Sequence, residues 1–498
     1  MSSAPTTRST RSTHASRDLP TELPADAGRI ATGIAIVLVA QLMLVLDATV
    51  VNVALPRIDT DLGFGPASLS WVLNGYTLAF GGLLLLGGRL GDVRGRLRMF
   101  EIGLSMFTVF SLLGGLAQTP TQLVIARALQ GAGAAMAAPS VLALLTTSAP
   151  DEAARNRALA LFGAVSSAGA SIGLLLGGIV TDLGSWRWTL WINVPIGLVV
   201  LLLARRFVPE TDRRPGRFDV VGAVTATLGA VAIVWSLIGT PDHGWLSMRT
   251  IAGFAVGIGL LLVLARTEVR HPHPLVQPHL VRNRRRVGAL TSMALIIGAN
   301  FSMFFLVVQY DERVLGFGPF QTGLAFLPFS LGVFVMSRVT PRLIGWLGAR
   351  AMVMIGSGAM VAGYLWMSQL STSSTYLGSV FGPVLIAGLA TGFVFMPITA
   401  TVLGDVEPQH AGSASGLLQT TQQLGGAVGV AAIVSVYATG AEPGRFVPGV
   451  QAAFLTSAAF SLAAFLVAAA LLRPRPAPFD TTAAEPESRR GPELAEAA

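Results

Sequence analysis

The stretch IATGIAIVLVAQLMLVLDATVVNVAL, residues 30–55, is almost entirely apolar and contains a single acidic residue, Asp47. A helix needs about 20 such residues to cross the hydrocarbon core of a bilayer, so the stretch predicts a transmembrane helix. It is too long for the apolar core of a signal peptide, about 7 to 15 residues, and we expect it to remain in the protein. The acid inside it requires an explanation.

The composition of the whole chain is that of a membrane protein. Of its 498 residues, 52% are hydrophobic and 12% are charged, and the mean hydropathy is +0.64. All 34 basic residues are arginines, in short clusters between apolar runs, and this distribution argues against a nucleic-acid-binding face despite a net charge of +8. The absence of cysteine excludes disulfides, zinc thiolate sites and cysteine nucleophiles.

Apolar runs recur along the chain and predict an all-α polytopic membrane protein with 14 transmembrane helices. We expect two six-helix bundles, residues 29–206 and 281–472, with two inserted helices and their linkers in residues 207–280 and disordered cytoplasmic tails in residues 1–28 and 473–498. The two bundles echo each other weakly, through GGRLGDVRGRLRMF after the second run and TPRLIGWLGARAM after the tenth, as in transporters with repeated halves. The predicted spans are 30–55, 68–88, 99–117, 121–148, 157–180, 188–204, 218–239, 249–266, 287–310, 320–340, 351–369, 376–403, 411–437 and 450–472.

The arginines also predict the orientation. Placing both termini in the cytoplasm puts 20 arginines in inner loops and 5 in outer loops, as the positive-inside rule requires. The expected location is therefore the plasma membrane, with both termini cytoplasmic.

Asp47 is the only carboxylate that these spans place well inside the membrane, and a charge there should face protein or a wet cavity and have a partner. Arg127 in the fourth span is the candidate partner, because its predicted depth matches that of Asp47 within a helical turn. Two interpretations stay open: a pair that only pins two helices together, or an acid that exchanges protons as its cavity opens to alternate sides.

Five motifs in order resemble the fourteen-span drug:proton antiporters of the major facilitator superfamily, over nearly the whole chain. They are LDATVVNVALP at 46–56, GGRLGDVRGRLR at 87–98, LVIARALQGAGAA at 123–135, WRWTLWINVPIG at 186–197 and GSASGLLQTTQQLGGAVGVA at 412–431. The resemblance implies proton coupling through Asp47 and Arg127, and a cytoplasmic gating loop that includes Gly88, Asp92, Gly95 and Arg96. Asp92 is expected near the start of the third helix, where a negative charge is favourable. The implied function is efflux of hydrophobic or cationic drugs or antibiotics in exchange for protons.

The fifth span contains Gly169, Gly173 and Gly177 at intervals of four, which predicts close helix packing. Leu174 stands where the resembling antiporters have a proline, and the direction of transport therefore stays open between export and uptake.

Other polar residues of the spans are candidates for the substrate cavity or for bonds to neighbouring backbone groups: Asn52, Asn74, Tyr76, Gln130, Asn300 and Gln309. Asp311 and Glu312 at the end of the ninth span are either a second acidic site or the start of an exposed loop, and the pattern favours the loop. HPHP at 271–274 favours a solvated loop over a metal site.

The expected partners are a small hydrophobic or cationic substrate and the lipid bilayer, with no nucleic acid, no metal, no cofactor apart from the coupling proton, and a monomeric state. The alternative is a major facilitator carrier for a specific metabolite or uptake substrate. A polytopic membrane enzyme is a remote alternative, because the outer loops lack paired carboxylates or a histidine and aspartate cluster, and no enzymatic activity is expected. A channel is disfavoured because no polar ring recurs along the spans.

Overall fold

A computed structural model describes residues 25–65, 67–148, 151–211, 213, 219–268, 277–404, 406, 411–440 and 446–472. Most of the two tails predicted to be disordered, and both histidines of the HPHP segment, lie outside these residues. The predicted N-terminal tail is too long by four residues, since Ala25 already begins a helix.

Thirteen long helices account for most of the described residues, which contain no strand. They are α1 (Ala25–Leu62), α2 (Trp71–Arg94), α3 (Arg96–Gly115), α4 (Pro120–Thr147), α5 (Glu152–Leu183), α6 (Asn193–Phe207), α7 (Val220–Ile238), α8 (Met248–Glu268), α9 (Arg284–Arg313), α10 (Leu327–Met367), α11 (Phe381–Leu403), α12 (Ala411–Gly440) and α13 (Phe446–Leu471). Short turns of helix precede α2, α6, α8, α9, α10 and α11, at Ser68–Ser70, Trp188–Trp191, Thr240–His243, Pro278–Arg282, Pro319–Ala325 and Tyr376–Val380.

The described residues include 12 helical segments that are long and apolar enough to cross a membrane, so this is a multi-pass membrane protein. The sequence-based count of 14 differs from this number for two reasons. The segment Pro319–Met367 is counted as one although it is 49 residues long, and α5 is not among the 12.

Helix α10 reverses its direction at Gly348, whose φ of 73° and ψ of 159° are not helical. Before this glycine, Gly332 contacts Leu389 and the side chain of Met336 meets Gly392, so the segment runs parallel to α11. After it, Gly356 packs against Ala390 and Gly363 against Pro383 and Ile386, so the second segment runs antiparallel. The two segments of α10 therefore form a hairpin.

Helix α5 lies parallel to α1, and its glycines set the separation. A Cβ on Gly169 would lie 3.1 Å from Leu42 and Val45, and a Cβ on Gly177 would lie 2.5 Å from the carbonyl oxygen of Val50. A Cβ on Gly173 would overlap Thr49. Small residues at intervals of four thus allow the two backbones to approach closely.

Helix α1 extends seven residues beyond the predicted end at Leu55, through Pro56 to Leu62. Proline has no amide hydrogen for the carbonyl of the preceding turn, which is why a helix end was expected there. Asp47 is therefore 15 residues from the end of its helix, about 22 Å, whereas Arg127 is 7 residues, about 10 Å, from the start of α4. The predicted end of α1 was wrong, because α1 projects further than α4, but the side chains of Asp47 and Arg127 still meet, with their nitrogen and oxygen atoms 2.7 Å apart.

We call the side on which α1 begins and α13 ends the terminal side, and the opposite side the distal side. The two bundles are closely packed on the distal side, where Arg313 of α9 forms a 2.7 Å ion pair with Asp59 of α1. The short helix Pro319–Ala325 also packs there against α5, and a Cβ on Gly178 would lie 2.5 Å from the carbonyl oxygen of Pro319. Helices α7 and α8 pack on each other, and α7 contacts α2 and α12.

Candidate functional site

Asp47 is fully enclosed by hydrogen-bond donors in the N-terminal bundle. Its Oδ2 accepts from Nη1 of Arg127 at 2.7 Å, and its Oδ1 accepts from Nε2 of Gln130 and Nδ2 of Asn193, both at 2.8 Å. The residues Asp47 and Arg127 are each 1% exposed. The carboxylate therefore has a charged partner and two neutral ones, as a buried ion pair requires if its desolvation is to be offset.

Further contacts hold the partners themselves. Arg127 donates from Nε to the carbonyl of Val72 at 3.2 Å and from Nη1 to Oε1 of Gln130 at 2.7 Å, and its guanidinium lies 4.5 Å from the centre of the Tyr76 ring. The hydroxyl of Ser111 accepts from Gln130 at 3.1 Å and donates to the carbonyl of Leu190 at 2.7 Å. The carboxylate thus bonds α1 directly to α4 and α6, and the contacts of its partners extend the network to α2 and α3.

Asn193 and Ser111 are members of this network that the sequence analysis did not single out. Asn193 is the first residue of α6, directly after the short helix Trp188–Trp191. Pro195 cannot donate to the carbonyl of Trp191, which is one reason for the break before α6. A buried asparagine between apolar residues at 190–200 was a usable signal, whereas a serine in an apolar helix is too common to be one.

The predicted cavity residues fall into different environments. Gln130 and Tyr76 belong to the Asp47 network, whereas Asn52 donates to carbonyls of its own helix, those of Ala48 and Thr49. Neither polar atom of the Asn74 side chain has a hydrogen-bond partner among the described residues. The structure therefore brings two of these four residues to the acid.

The two candidates in the C-terminal bundle do not reach Asp47 through any hydrogen bond of the described residues. Asn300 accepts from the hydroxyl of Tyr364 at 2.9 Å and donates to the hydroxyl of Thr391 at 3.0 Å. Gln309 is 1% exposed, and its Nε2 has no partner among the described residues.

The predicted gating loop lies between α2 and α3 on the terminal side. Gly95 has a φ of 104°, which favours glycine, and Gly88 is in ordinary contact with Pro139 of α4. Asp92 lies in the last turn of α2, where it pairs with Arg96. Its predicted place at the start of α3 is wrong, because α2 continues to Arg94 and Gly95 reverses the chain after it.

The acid at the start of α3 is Glu210, from the segment that follows α6. Its carboxylate accepts from the backbone N–H of Leu97 at 2.9 Å and from that of Arg98 at 3.1 Å. A carboxylate suits the positive end of a helix dipole, and it satisfies two amide groups that the helix leaves unbonded.

The loop interpretation favoured for Asp311 and Glu312 is wrong. Helix α9 continues to Arg313, and Asp311 is 0% exposed in its last turn. Glu312 is partly buried.

The described residues contain no group of three or more His, Asp or Glu side chains suited to a metal ion. A cleft of about 370 Å³ is lined by residues of the loop before α2, the distal ends of α7 and α8, and α12, and none of them belongs to the Asp47 network.

Comparison with known proteins identifies a family and several similar proteins. Residues 37–430 match the Major Facilitator Superfamily. The chain is 40% identical over 449 residues to the cephamycin export protein CmcT of Amycolatopsis lactamdurans, covering 89% of this chain and 92% of that protein. It is 38% identical over 454 residues to the puromycin resistance protein pur8 of Streptomyces alboniger, covering 88% and 90%.

Solved structures share the fold at low sequence identity. The POT family transporter PepTSo has a TM-score of 0.66 and 14% identity, covering 88% of this chain and 97% of that one. The nucleoside transporter NupG has a TM-score of 0.63 and 13% identity, covering 89% and 100%.

Proposed function

The chain belongs to the major facilitator superfamily, and on that premise we propose that it exports a hydrophobic or cationic drug or antibiotic in exchange for protons. Relatives named for cephamycin export and puromycin resistance, each matched over about nine tenths of both chains, support efflux of a small molecule. The observation that carries the proton coupling is the acid Asp47, 1% exposed and bonded to Arg127.

We propose fourteen membrane spans. The 41 residues of α10 would form a rod of about 60 Å, twice the hydrocarbon thickness of about 30 Å, and the reversal at Gly348 supports two spans instead. Contacts of α5 along α1, from Gln41 and Ser166 to Val50 and Gly177, support α5 as a further span. Together with the remaining segments this gives two six-helix bundles with α7 and α8 between them.

We propose that the terminal side is cytoplasmic, because the arginines of the sequence concentrate in loops on that side. The distal side is then external, and the closed distal side corresponds to a state that receives substrate from the cytoplasm.

In the proposed mechanism, protonation of Asp47 removes the charge that Arg127 faces, and deprotonation restores it. The guanidinium keeps two neutral acceptors in either state, the carbonyl of Val72 and Oε1 of Gln130. The carboxylate bonds α1 directly to α4 and α6, so a change in its bonds alters the packing of these three helices. Each proton that enters down the membrane potential releases about 2.3 kcal/mol per 100 mV, which drives the cycle.

The test is proton release on substrate addition. Purified protein in detergent, weakly buffered and monitored with a pH dye, is titrated with puromycin and with a cephamycin, and Asp47→Asn is compared with Asp61→Asn. Asp61 is a matched control on the same helix, with partners Trp186 and Arg187 away from the network. We expect release from the parent and from Asp61→Asn but none from Asp47→Asn. Undiminished release from Asp47→Asn would make the acid structural.

A carrier that takes up a metabolite is the second candidate, and Leu174 at the antiporter motif's proline position is the observation that favours it. Inverted vesicles distinguish the two, since an exporter accumulates puromycin when the lumen is acidified and an uptake carrier does not.

A further inference from the structure

Asp311 is a second buried acid, outside the Asp47 network. It is 0% exposed, and neither of its carboxylate oxygens accepts a hydrogen bond from the described residues. No ion pair of the described residues includes it. In the neighbouring Glu312, the oxygen Oε1 is also buried and has no hydrogen-bond partner among the described residues.

Asp311 lies where the two bundles close on the distal side. Arg313, two residues further on, is held by Asp59 of α1 at 2.7 Å, and Arg57 of α1 acts electrostatically on Glu312. The titratable and charged groups around the acid are Arg57 and Asp59 of α1, Asp182 of α5, Tyr310, Glu312 and Arg313 of α9, and Tyr376 at the start of the turn before α11.

An ionised carboxylate that is buried without a hydrogen-bond or ion-pair partner is strongly disfavoured, and a neutral carboxyl is disfavoured much less. Arg313 pairs with Asp59 at 2.7 Å, and among the described residues no arginine forms an ion pair with Asp311. The closed distal side therefore favours the neutral acid. If α1 and α9 separate, Arg313 is released from Asp59 and water reaches the carboxyl, so the open distal side favours the ionised form.

We propose that Asp311 is a proton-binding site of the distal gate: its carboxylate takes up one proton from the distal medium as the bundles close there and returns it as they part. The proton enters and leaves on one side, so this site carries no net flux and is separate from the coupling role proposed for Asp47. Acid in the distal medium stabilises the closed gate, and each unit of rising pH shifts the closed-to-open ratio by up to about tenfold for one linked proton.

The experiment uses the full chain, which contains no cysteine and needs no background mutations for labelling. Spin labels on Leu183→Cys and Thr372→Cys, two exposed distal positions in different bundles, report the opening as a distance distribution in liposomes. The distribution is measured from pH 5 to 9 in the parent and in Asp311→Asn, with Asp61→Asn as the control, because Asp61 is an exposed distal acid that pairs with Arg187 within its own bundle.

In the parent we expect the open population to grow with pH, by up to about tenfold in the open-to-closed ratio per pH unit. In Asp311→Asn we expect the open population to stay small and this contribution to the slope to disappear. Asp61→Asn should keep the parent's slope. The same comparison is then made in an Asp47→Asn background. Adding Asp311→Asn there should remove the same part of the pH slope, so the result does not depend on the coupling role proposed for Asp47.

Equal slopes in the parent and Asp311→Asn, or no pH response in the parent, would overturn the proposal. A second measurement, at pH 8, replaces the buffer cation N-methylglucamine with Na⁺ or K⁺ and tests whether a metal ion binds at Asp311 in place of a proton. Closure by either metal ion, lost in Asp311→Asn, would assign the site to that ion and also overturn the proposal.

Discussion

The ion pair between Asp47 and Arg127 predicts a strongly non-additive effect of mutations on stability. Asp47→Asn removes the negative charge that faces the buried guanidinium and leaves it with neutral acceptors, among them the carbonyl of Val72 and Oε1 of Gln130. Arg127→Met leaves the carboxylate with only the amides of Gln130 and Asn193. Removing one partner of a buried pair costs about 3 to 5 kcal/mol, because the other charge stays buried.

Combining the two substitutions removes both charges, and Asn at position 47 can still bond to the amide of Gln130. We therefore expect the double variant to be within about 1 kcal/mol of the parent, although the two single losses sum to at least about 6 kcal/mol, which is a coupling energy of at least about 5 kcal/mol. Apparent unfolding midpoints in one detergent, followed by tryptophan fluorescence, give the ranking: parent and double variant high, both single variants low. The control pair is Arg187→Met with Asp61→Asn, which is partly exposed and should couple by less than about 1 kcal/mol.

A double variant less stable than either single variant would refute the reasoning. It would mean that the loss in the single variants does not come from a buried charge left without its partner. The double variant also separates stability from function, since it should fold and yet release no protons on substrate addition.

The remaining predictions concern helix packing, helix capping and the hydrogen bonds to Asp47. Gly173→Ala should lower the unfolding midpoint, by about 1 to 3 kcal/mol in free energy, because its Cβ overlaps α1, whereas Gly163→Ala, with no atom within 4 Å, should be neutral or stabilising. Glu210→Gln should cost about 1 kcal/mol of stability, read from the same midpoints, and should increase hydrogen exchange at the first turn of α3. Asn193→Leu removes one of two amide donors to Oδ1 of Asp47, and should reduce proton release while Gln130, the other donor, keeps its bond. An unchanged release on that variant would exclude Asn193 from the coupling site.

Much of the fold follows from the sequence for a simple physical reason. A bilayer requires about 20 apolar residues per helix, and that requirement is local, so the positions of most helices could be read from composition along the chain. The glycines at positions 169, 173 and 177 gave the packing face of α5 for a similar reason, since their spacing puts them on one side of a helix. Pro56 misled the prediction because a proline inside a long membrane helix is tolerated when neighbouring helices hold it.

The candidate site was only partly accessible to such reasoning. One acid and one arginine in otherwise apolar spans demand each other as partners, and their nitrogen and oxygen atoms lie 2.7 Å apart. The sequence shows Asn193 as a polar residue among apolar ones, but not that Asn193 and Ser111 complete the network, because that depends on how α3 and α6 pack around α1. Glu210 likewise caps a helix 112 residues earlier in the chain.

The sequence by itself determined a polytopic helical membrane protein with an acid that needs a buried partner, because hydrophobic length and the cost of charge in lipid act on each helix separately. Only the tertiary structure decided which side chains surround that acid, and that Asp311 is sealed between the bundles instead of beginning a loop. Burial and hydrogen bonding are properties of several helices together, and no single stretch of sequence contains them.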